Sequence, residues 1–290
     1  MIGFGLGDKI DGVFKKLLVN PWVNYIYPDS KNKFQHGYKD SYETFLAQGT
    51  DLVFAPEKYI AEDLRQHGIN AITVSLYGEP TFDSYINFFP DLICQLWDNK
   101  DVHQKANKWK ADVDKAIKDI NNELSKHDIE KKSVFYVRGD KDKGINHTDN
   151  VCSFGEYAYR VLGLDYIGAR WVNTPQPAVE EVIASNPDIF ICGGVFQHKN
   201  MKTLHEEPWS NLDAVKNNKI INIPLGFTNF EQLSVMTPTF FYDQANKLYP
   251  EYFNYDIKSM VKETIKEYFD VDLSDRSLQE SSWVNRRLQL

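Results

Sequence analysis

The chain runs to 290 residues, 42% hydrophobic, 26% charged and 14% aromatic, a globular composition that excludes wholesale disorder, collagen and coiled-coil rods. With 33 Lys and Arg against 41 Asp and Glu, the net charge of −8 offers no concentrated basic face, and nucleic acid is set aside as a partner. No apolar run approaches the roughly 20 residues of a membrane helix, and the length suits about two domains.

In chain order, the first clear signals are a buried strand at Leu52–Ala55, a helix at Tyr59–His67 and a second strand at Ala71–Ser75. A regular stretch from Asp98 to Asp128 follows. Its apolar residues Val102, Ala106, Trp109, Val113, Ile117, Ile120 and Leu124 stand three or four apart, which predicts an amphipathic helix. No Pro or Gly interrupts it, and about 30 residues at 1.5 Å each make a rod of roughly 45 Å. Such a helix needs one long packing partner or bridges two bodies. Beyond it come a strand at Ser133–Val137, helices at Phe154–Leu162 and Ala178–Ser185, and strands at Asp188–Cys192 and Ile220–Ile223. The strands are apolar throughout rather than alternating, as in parallel sheets covered on both faces.

These elements predict an α/β protein of two lobes, with mainly parallel sheets flanked by helices and one long interdomain helix joining the lobes. The expected divisions are an N-terminal lobe over 1–97, the connecting helix over 98–128 and a C-terminal lobe over 129–290. A faint internal echo supports two similar halves: Glu43–Phe54 and Glu180–Ile191 each read as a short helix, a two-residue break, an Asp and a buried strand. Cys94, Cys152 and Cys192 are too far apart for a CxxC pair, and an odd, sparse count does not make a disulfide scaffold. HExxH, GxSxG and GxxxxGK[ST] are absent, so no catalytic residue is assigned and the chain is expected not to be an enzyme.

Several stretches resemble, in order, the bacterial ABC-importer solute-binding proteins that carry metal chelates such as siderophores, haem, cobalamin and nickel complexes. Gly5-Leu6-Gly7-Asp8-Lys9-Ile10-Asp11-Gly12-Val13 is similar to that family's GDK turn, and Thr50-Asp51-Leu52-Val53-Phe54-Ala55 to its "KPDLVIA" strand. Asn186-Pro187-Asp188-Ile189-Phe190-Ile191 resembles the second-lobe copy, Leu212–Ile220 the "LxAVKNGKVY" segment, and Ala245–Phe253 the "AKxLYPExF" run before the last helix. The matches span residues 3 to 273. Thr50 departs from the usual Pro, and the family's signal peptide and first strand have no counterpart, which reads as N-terminal truncation of a natively extracytoplasmic protein, periplasmic or anchored as a lipoprotein. The resemblance implies two α/β lobes on one long rigid helix, a ligand held between them, a membrane permease as partner, a monomer, and no cofactor of its own.

On that resemblance, ligand contacts fall in four loops that follow strands. The first, Asn20–Pro28, carries Trp22, Tyr25 and Tyr27, which either stack on a planar chelate or pack the loop itself. The second starts at Pro56 and includes Glu57 and Tyr59. The third, Arg138–Thr148, is polar and carries His147, which either fills an open position on a chelated metal or is a solvated surface histidine. The fourth, Gly193–Asn200, pairs two glycines with His198; Trp171 is a further aromatic candidate, or ordinary packing. No third histidine or carboxylate stands at ligand spacing, so a metal arriving already chelated fits better than a protein-only cage. His36, His67, His103 and His127 sit in helical or polar contexts without a role. A nickel or ferric complex of a small organic chelator is therefore the expected cargo, with cobalamin or haem as the alternative in the same fold, and a cytoplasmic two-lobed α/β enzyme as the competing class. By the same resemblance, one exposed acid on each lobe docks on permease arginines; these fall at Glu57 and Glu180, with Glu62 and Glu181 as near neighbours and ordinary helix-start acids as the plain alternative.

Overall fold

The computed structural model describes residues 1–20, 22–38, 40–76, 81–140 and 143–274. The chain divides into two compact units, Met1–Tyr77 and Gly78–Leu290. The first unit holds strands β1 (Gly12–Phe14), β2 (Phe34–His36), β3 (Val53–Ala55) and β4 (Ala71–Thr73), with helices α1 (Val23–Ile26), α2 (Tyr42–Ala47) and α3 (Lys58–Gln66). β1 pairs with β2 and β3 with β4, both in parallel. Around β3 and β4 the core is Phe45, Ala55, Ala61, Leu64, Ile69 and Ala71. α3 supplies Ala61 and Leu64 to it, and the chain leaves the helix through Gly68, in the left-handed conformation at φ 81°.

The second unit opens with α4 (Phe82–Leu96) and α5 (Lys100–Leu124). It continues with β5 (Ser133–Val137), α6 (Phe154–Val161), β6 (Asp165–Tyr166), α7 (Val179–Ser185), β7 (Ile189–Cys192), α8 (Gln197–Thr203), α9 (Asp213–Lys216), β8 (Ile220–Asn222), α10 (Thr237–Leu248) and α11 (Ile257–Phe269). Its sheet has the order β6-β5-β7-β8 and is parallel throughout. β7 is buried along its whole length and β5 from Val134 onward, because helices cover the sheet; that is why these two strands read as unbroken apolar runs. Parallel α/β architecture with helix-covered sheets is thus what the chain adopts.

The long helix spans Lys100–Leu124, 25 residues, and Asn99 caps it by accepting the Val102 N–H at 3.0 Å. Its buried stripe is Val102, Ala106, Trp109, Val113, Ala116 and Ile120, spaced four and three alternately. Ala116 takes the place expected of Ile117, which is only half-buried. The small side chain lies where α10 packs, and two polar ties secure that contact: Trp109 Nε1–H donates to Ser234 O at 2.8 Å and the Tyr242 hydroxyl to Asp119 at 2.8 Å. α4, which the sequence reading did not anticipate, packs along α5 and against α6. The first unit accordingly ends at residue 77, twenty residues short of the expected boundary at 97, because α4 and α5 share one core. A Thr81–Ser84 capping box starts α4, and Pro90 lies inside it.

The register of the stripe makes a sharp comparison. Ile120→Ala should lower stability by about 3 kcal/mol, as a fully enclosed side chain leaves a cavity, and Ile117→Ala by less than half of that. Urea unfolding of the two variants distinguishes them; equal losses would mean that the helix is turned about its axis relative to this description.

Candidate functional site

In the first unit, the segments that leave the C-terminal ends of β1, β2 and β3 carry the candidate contacts. Trp22 is buried, and its indole N–H has no protein partner among the described residues. Tyr27 is buried as well: its hydroxyl donates to Gly7 O at 2.7 Å, and its ring lies 3.2 Å from where a β-carbon on Gly7 would stand. Burial raises its pKa. These two rings pack the first loop, and Tyr25 alone of the three reaches the surface; Pro21 lies outside the described residues. Glu57 is exposed at the N-cap of α3, where its Oε1 accepts the Tyr38 hydroxyl at 3.4 Å. Tyr38 and Tyr59 are the most exposed aromatics here, at 46% and 60%. Tyr38 was missed in the sequence, since nothing local marks it.

In the second unit, β5 and β7 end side by side, and their following loops interlock. Gly193 N–H donates to Val137 O at 3.0 Å and Phe196 N–H to Gly139 O at 3.3 Å. Gly139 and Gly194 both have positive φ, 71° and 67°. A β-carbon on Gly139 would stand 1.9 Å from Gly193 O, and one on Gly194 2.4 Å from Arg138 O. Backbone therefore meets backbone at this point, an approach only glycine permits.

Around the glycines stands a polar cluster. The Arg138 guanidinium pairs with Asp140 and Asp149, each at 3.0 Å. Burial pushes the Asp149 carboxyl above the usual carboxylate range, while Arg138 pulls the other way. His147 is buried; its carbonyl accepts the Arg138 N–H at 2.9 Å, and its Nδ1 lies 3.3 Å from Asp140 without hydrogen-bond geometry. Desolvation lowers the His147 pKa, with Asp140 opposing. The expectation of a solvated histidine fails here, because Arg138 and Pro175 hold the backbone of 147 and 148 inside. His198 sits on α8, half-buried, with its pKa lowered by burial and then by Lys202. Lys141 and Asp142 lie outside the described residues.

Sequence reasoning also missed Glu231. It arrives on the segment between β8 and α10, where no motif or period marks it. Its Oε1 accepts the Gly194 N–H at 2.7 Å, and burial pushes its carboxyl up to about 7. Together, five buried atoms have no protein hydrogen-bond partner among the described residues: His147 Nδ1, Gln197 Oε1, His198 Nε2, Asn200 Nδ2 and Glu231 Oε2. Each orphan of this sort costs about 1–3 kcal/mol, so four on the segments that follow β5 and β7, with Glu231 beside them, is a concentration the fold alone does not call for. No three His, Cys, Asp or Glu side chains among the described residues are placed to hold a metal together. Trp171 packs edge-on against Phe135 at 6.0 Å as part of the core. His36 packs among Phe14, Phe34 and Phe45, His67 and His127 stack on Tyr42 and Tyr252, and His103 pairs with Asp98. Glu180 is exposed in the first turn of α7, while Glu181 is occupied as an acceptor for the Ala178 N–H at 2.8 Å.

An open groove of about 870 Å³ lies at the other edge of the sheet, lined by Lys132, Asp188, Lys219 and Asn246 among others. It faces the strand N-termini. Ligands of open parallel sheets bind at the carboxyl ends, which points to the loops after β5 and β7 instead.

No protein-family model matches the sequence, and no curated protein matches it either. The solved structures do. A periplasmic solute-binding protein from Veillonella parvula superposes with a TM-score of 0.70 at 18% identity, over 97% of this chain and 88% of that one. CeuE of Helicobacter pylori, in a Ni-His complex, gives 0.75 at 18% identity over 97% and 89%. MolA of Haemophilus influenzae, bound to molybdate, gives 0.72 at 18% identity over 94% and 90%. The chain has the fold of the periplasmic solute-binding proteins. More narrowly, it is the two-lobed fold of the metal-chelate type, which the resemblance in the sequence implied.

Two glycines separate strain from contact. Gly68→Ala, at φ 81° with nothing within 4 Å of the new methyl, should cost about 1–2 kcal/mol. Gly139→Ala adds a backbone collision and should cost at least about 3 kcal/mol. Matching unfolding midpoints for the two variants would refute the interlocked loops.

Proposed function

We propose that this protein is the solute-binding component of an ABC importer and captures a metal chelate, with a nickel or ferric complex of a small polar chelator favoured over cobalamin or haem. It binds and releases its cargo without chemistry and works outside the cytoplasm, with a permease as its partner. The observation that carries the choice of cargo is the set of five polar atoms unpartnered among the described residues, four on the segments that follow β5 and β7 and the fifth on Glu231 beside them. A small chelate rich in oxygen and nitrogen supplies partners for such atoms; a porphyrin or corrin face does not. Two imidazoles with no third ligand among the described residues suit a metal that arrives already coordinated, with one histidine completing its shell. Among proteins of this fold, CeuE has been crystallised with nickel and a relative from Saccharomonospora viridis is described as part of an Fe3+-hydroxamate transport system. Tyr25, exposed on the loop that buries Trp22 and Tyr27, is the aromatic contribution of the first unit to binding, and Trp171 that of the second.

Tryptophan quenching against nickel–histidine, ferric citrate, a ferric hydroxamate, haem and cobalamin tests the reading. Micromolar or tighter binding is expected for one of the first three; binding of haem or cobalamin alone would reassign the cargo, and binding of none would sink the proposal. If His147 or His198 ligates the metal, affinity falls as pH drops from 7 to 5. The imidazole must be neutral to ligate, and both pKa values lie below the ordinary value. His147→Ala or His198→Ala should weaken binding about tenfold or more and flatten that profile.

Glu57 and Glu180 are proposed as the permease-docking acids. Both are exposed at helix starts, where the dipole favours a carboxylate, while the neighbouring Glu181 is occupied by the Ala178 N–H. Charge reversal at both, Glu57→Lys with Glu180→Lys, should leave chelate affinity within about twofold and abolish uptake in cells, since rim charges set orientation and on-rate. Wild-type uptake by the double variant would remove the docking assignment.

A further inference from the structure

We propose that Glu231 is a positioning residue for the loops after β5 and β7, its carboxyl holding Gly193 and Gly194 against Gly139 and its ionisation shifting that contact. The inference rests on the ligand site proposed at those loops and adds the group that sets their shape.

Three observations converge on it. First, the carboxyl reaches the glycine pair from a third segment, between β8 and α10: Oε1 accepts the Gly194 N–H at 2.7 Å. A β-carbon on Gly193 would stand 2.6 Å from the Tyr136 ring and hydroxyl and 2.9 Å from Glu231 Oε1, so the acid and the phenol close directly on the glycine backbone. Second, the two loops meet backbone to backbone, Gly193 O standing 1.9 Å from where a β-carbon on Gly139 would lie. A displacement of Gly193 or Gly194 therefore passes to Gly139 and its neighbours, including the turn that carries His147. The same displacement reaches Gln197, whose amide N–H donates to Gly194 O at 3.2 Å, and with it His198 on the first turn of α8. Third, Oε2 is buried with no hydrogen-bond partner among the described residues. With Oε1 occupied by the N–H, the proton of the neutral acid belongs on Oε2; once it leaves, burial opposes the charge while the Gly194 N–H and Tyr136 favour it.

The surroundings make that proton easy to lose near neutrality. The titratable groups facing the carboxyl are Tyr136 on β5, Asp149 in the loop that follows, and Tyr159 on α6. The nearby cation, Arg138, is paired with Asp140 and Asp149. Burial is the largest influence and raises the carboxyl; the Gly194 N–H and Tyr136 favour its charge, and Asp149 opposes it. The balance lies at about 7. A purely structural tie between the loops would use a neutral amide; a carboxyl poised at this point gives the loops two states within the range where the cargo is bound.

Amide NMR of the ligand-free protein between pH 5.5 and 8.5 decides the matter. The Gly194 and Gly139 resonances should move together with one midpoint near 7. They should stay flat in Glu231→Gln, while Glu231→Asp keeps a titration. Flat resonances in the wild type, movement of Gly194 without Gly139, or an unchanged titration in Glu231→Gln would each overturn the proposal, and the first two need no variant to fold. Because no cargo is present, the outcome is independent of the transport reading: failure of every chelate to bind refutes that reading, and flat amides in a protein that binds nickel–histidine refute this one.

Discussion

Because β5 and β7 run parallel and adjacent, both chains leave the sheet at the same edge, and their next residues compete for the same space. A parallel neighbour offers no hairpin to separate the exits, so the crossing must be made by backbone without side chains. Gly139, Gly193 and Gly194 answer that requirement. The rest of the second unit's site follows from it. Where backbone packs that closely, polar side chains arriving from behind find their usual partners already taken. Arg138 pairs with Asp140 and Asp149 and the Tyr166 hydroxyl donates to Asp149 O, whereas Gln197, His198, Asn200 and Glu231 each retain an atom without a partner among the described residues.

The two units solve the problem of a small core differently. In the second, a four-stranded sheet with helices on it buries Phe135, Phe190 and Ile167 in one continuous cluster. In the first, the pairs β1–β2 and β3–β4 have three residues per strand, too little to build a core from the sheet alone. Loop aromatics make up the deficit: Trp22 and Tyr27 fill the space around the N-terminal turn, and rings stack about His36 and His67. That need for apolar area explains why aromatics that looked like a binding face in the sequence are mostly interior.

Much of the fold was legible for this reason, and the remainder was not for its converse. β3, β4, β5, β7 and β8 carry runs of Val, Ile, Phe and Ala that nothing else explains, and each lies within a residue or two of its expected place. β6, with two residues, is shorter than any periodic signal. α4 was hidden by Pro90 and by aromatics on several of its faces. In α5 period and phase were visible at Val102, Ala106, Trp109, Val113 and Ile120, and only Ala116 stands in place of the expected Ile117. The site divides the same way. The loops stood out as candidates because parallel strands present their carboxyl ends to ligands, while Glu231 was invisible because its contact with Gly194, far away in sequence, is made only by the fold.

The unpartnered atoms on those loops also fix the thermal signature of whatever binds there. A ligand that completes existing hydrogen-bonding capacity releases heat, and it removes little apolar surface from water. Its association is therefore enthalpic, with a heat-capacity change close to zero. A flat, largely hydrocarbon macrocycle held by Tyr25, Tyr38 and Tyr59 would behave oppositely, with a strongly negative heat capacity from dehydrated rings. The two kinds of cargo are thus distinguishable by calorimetry at two temperatures, before any complex has been crystallised.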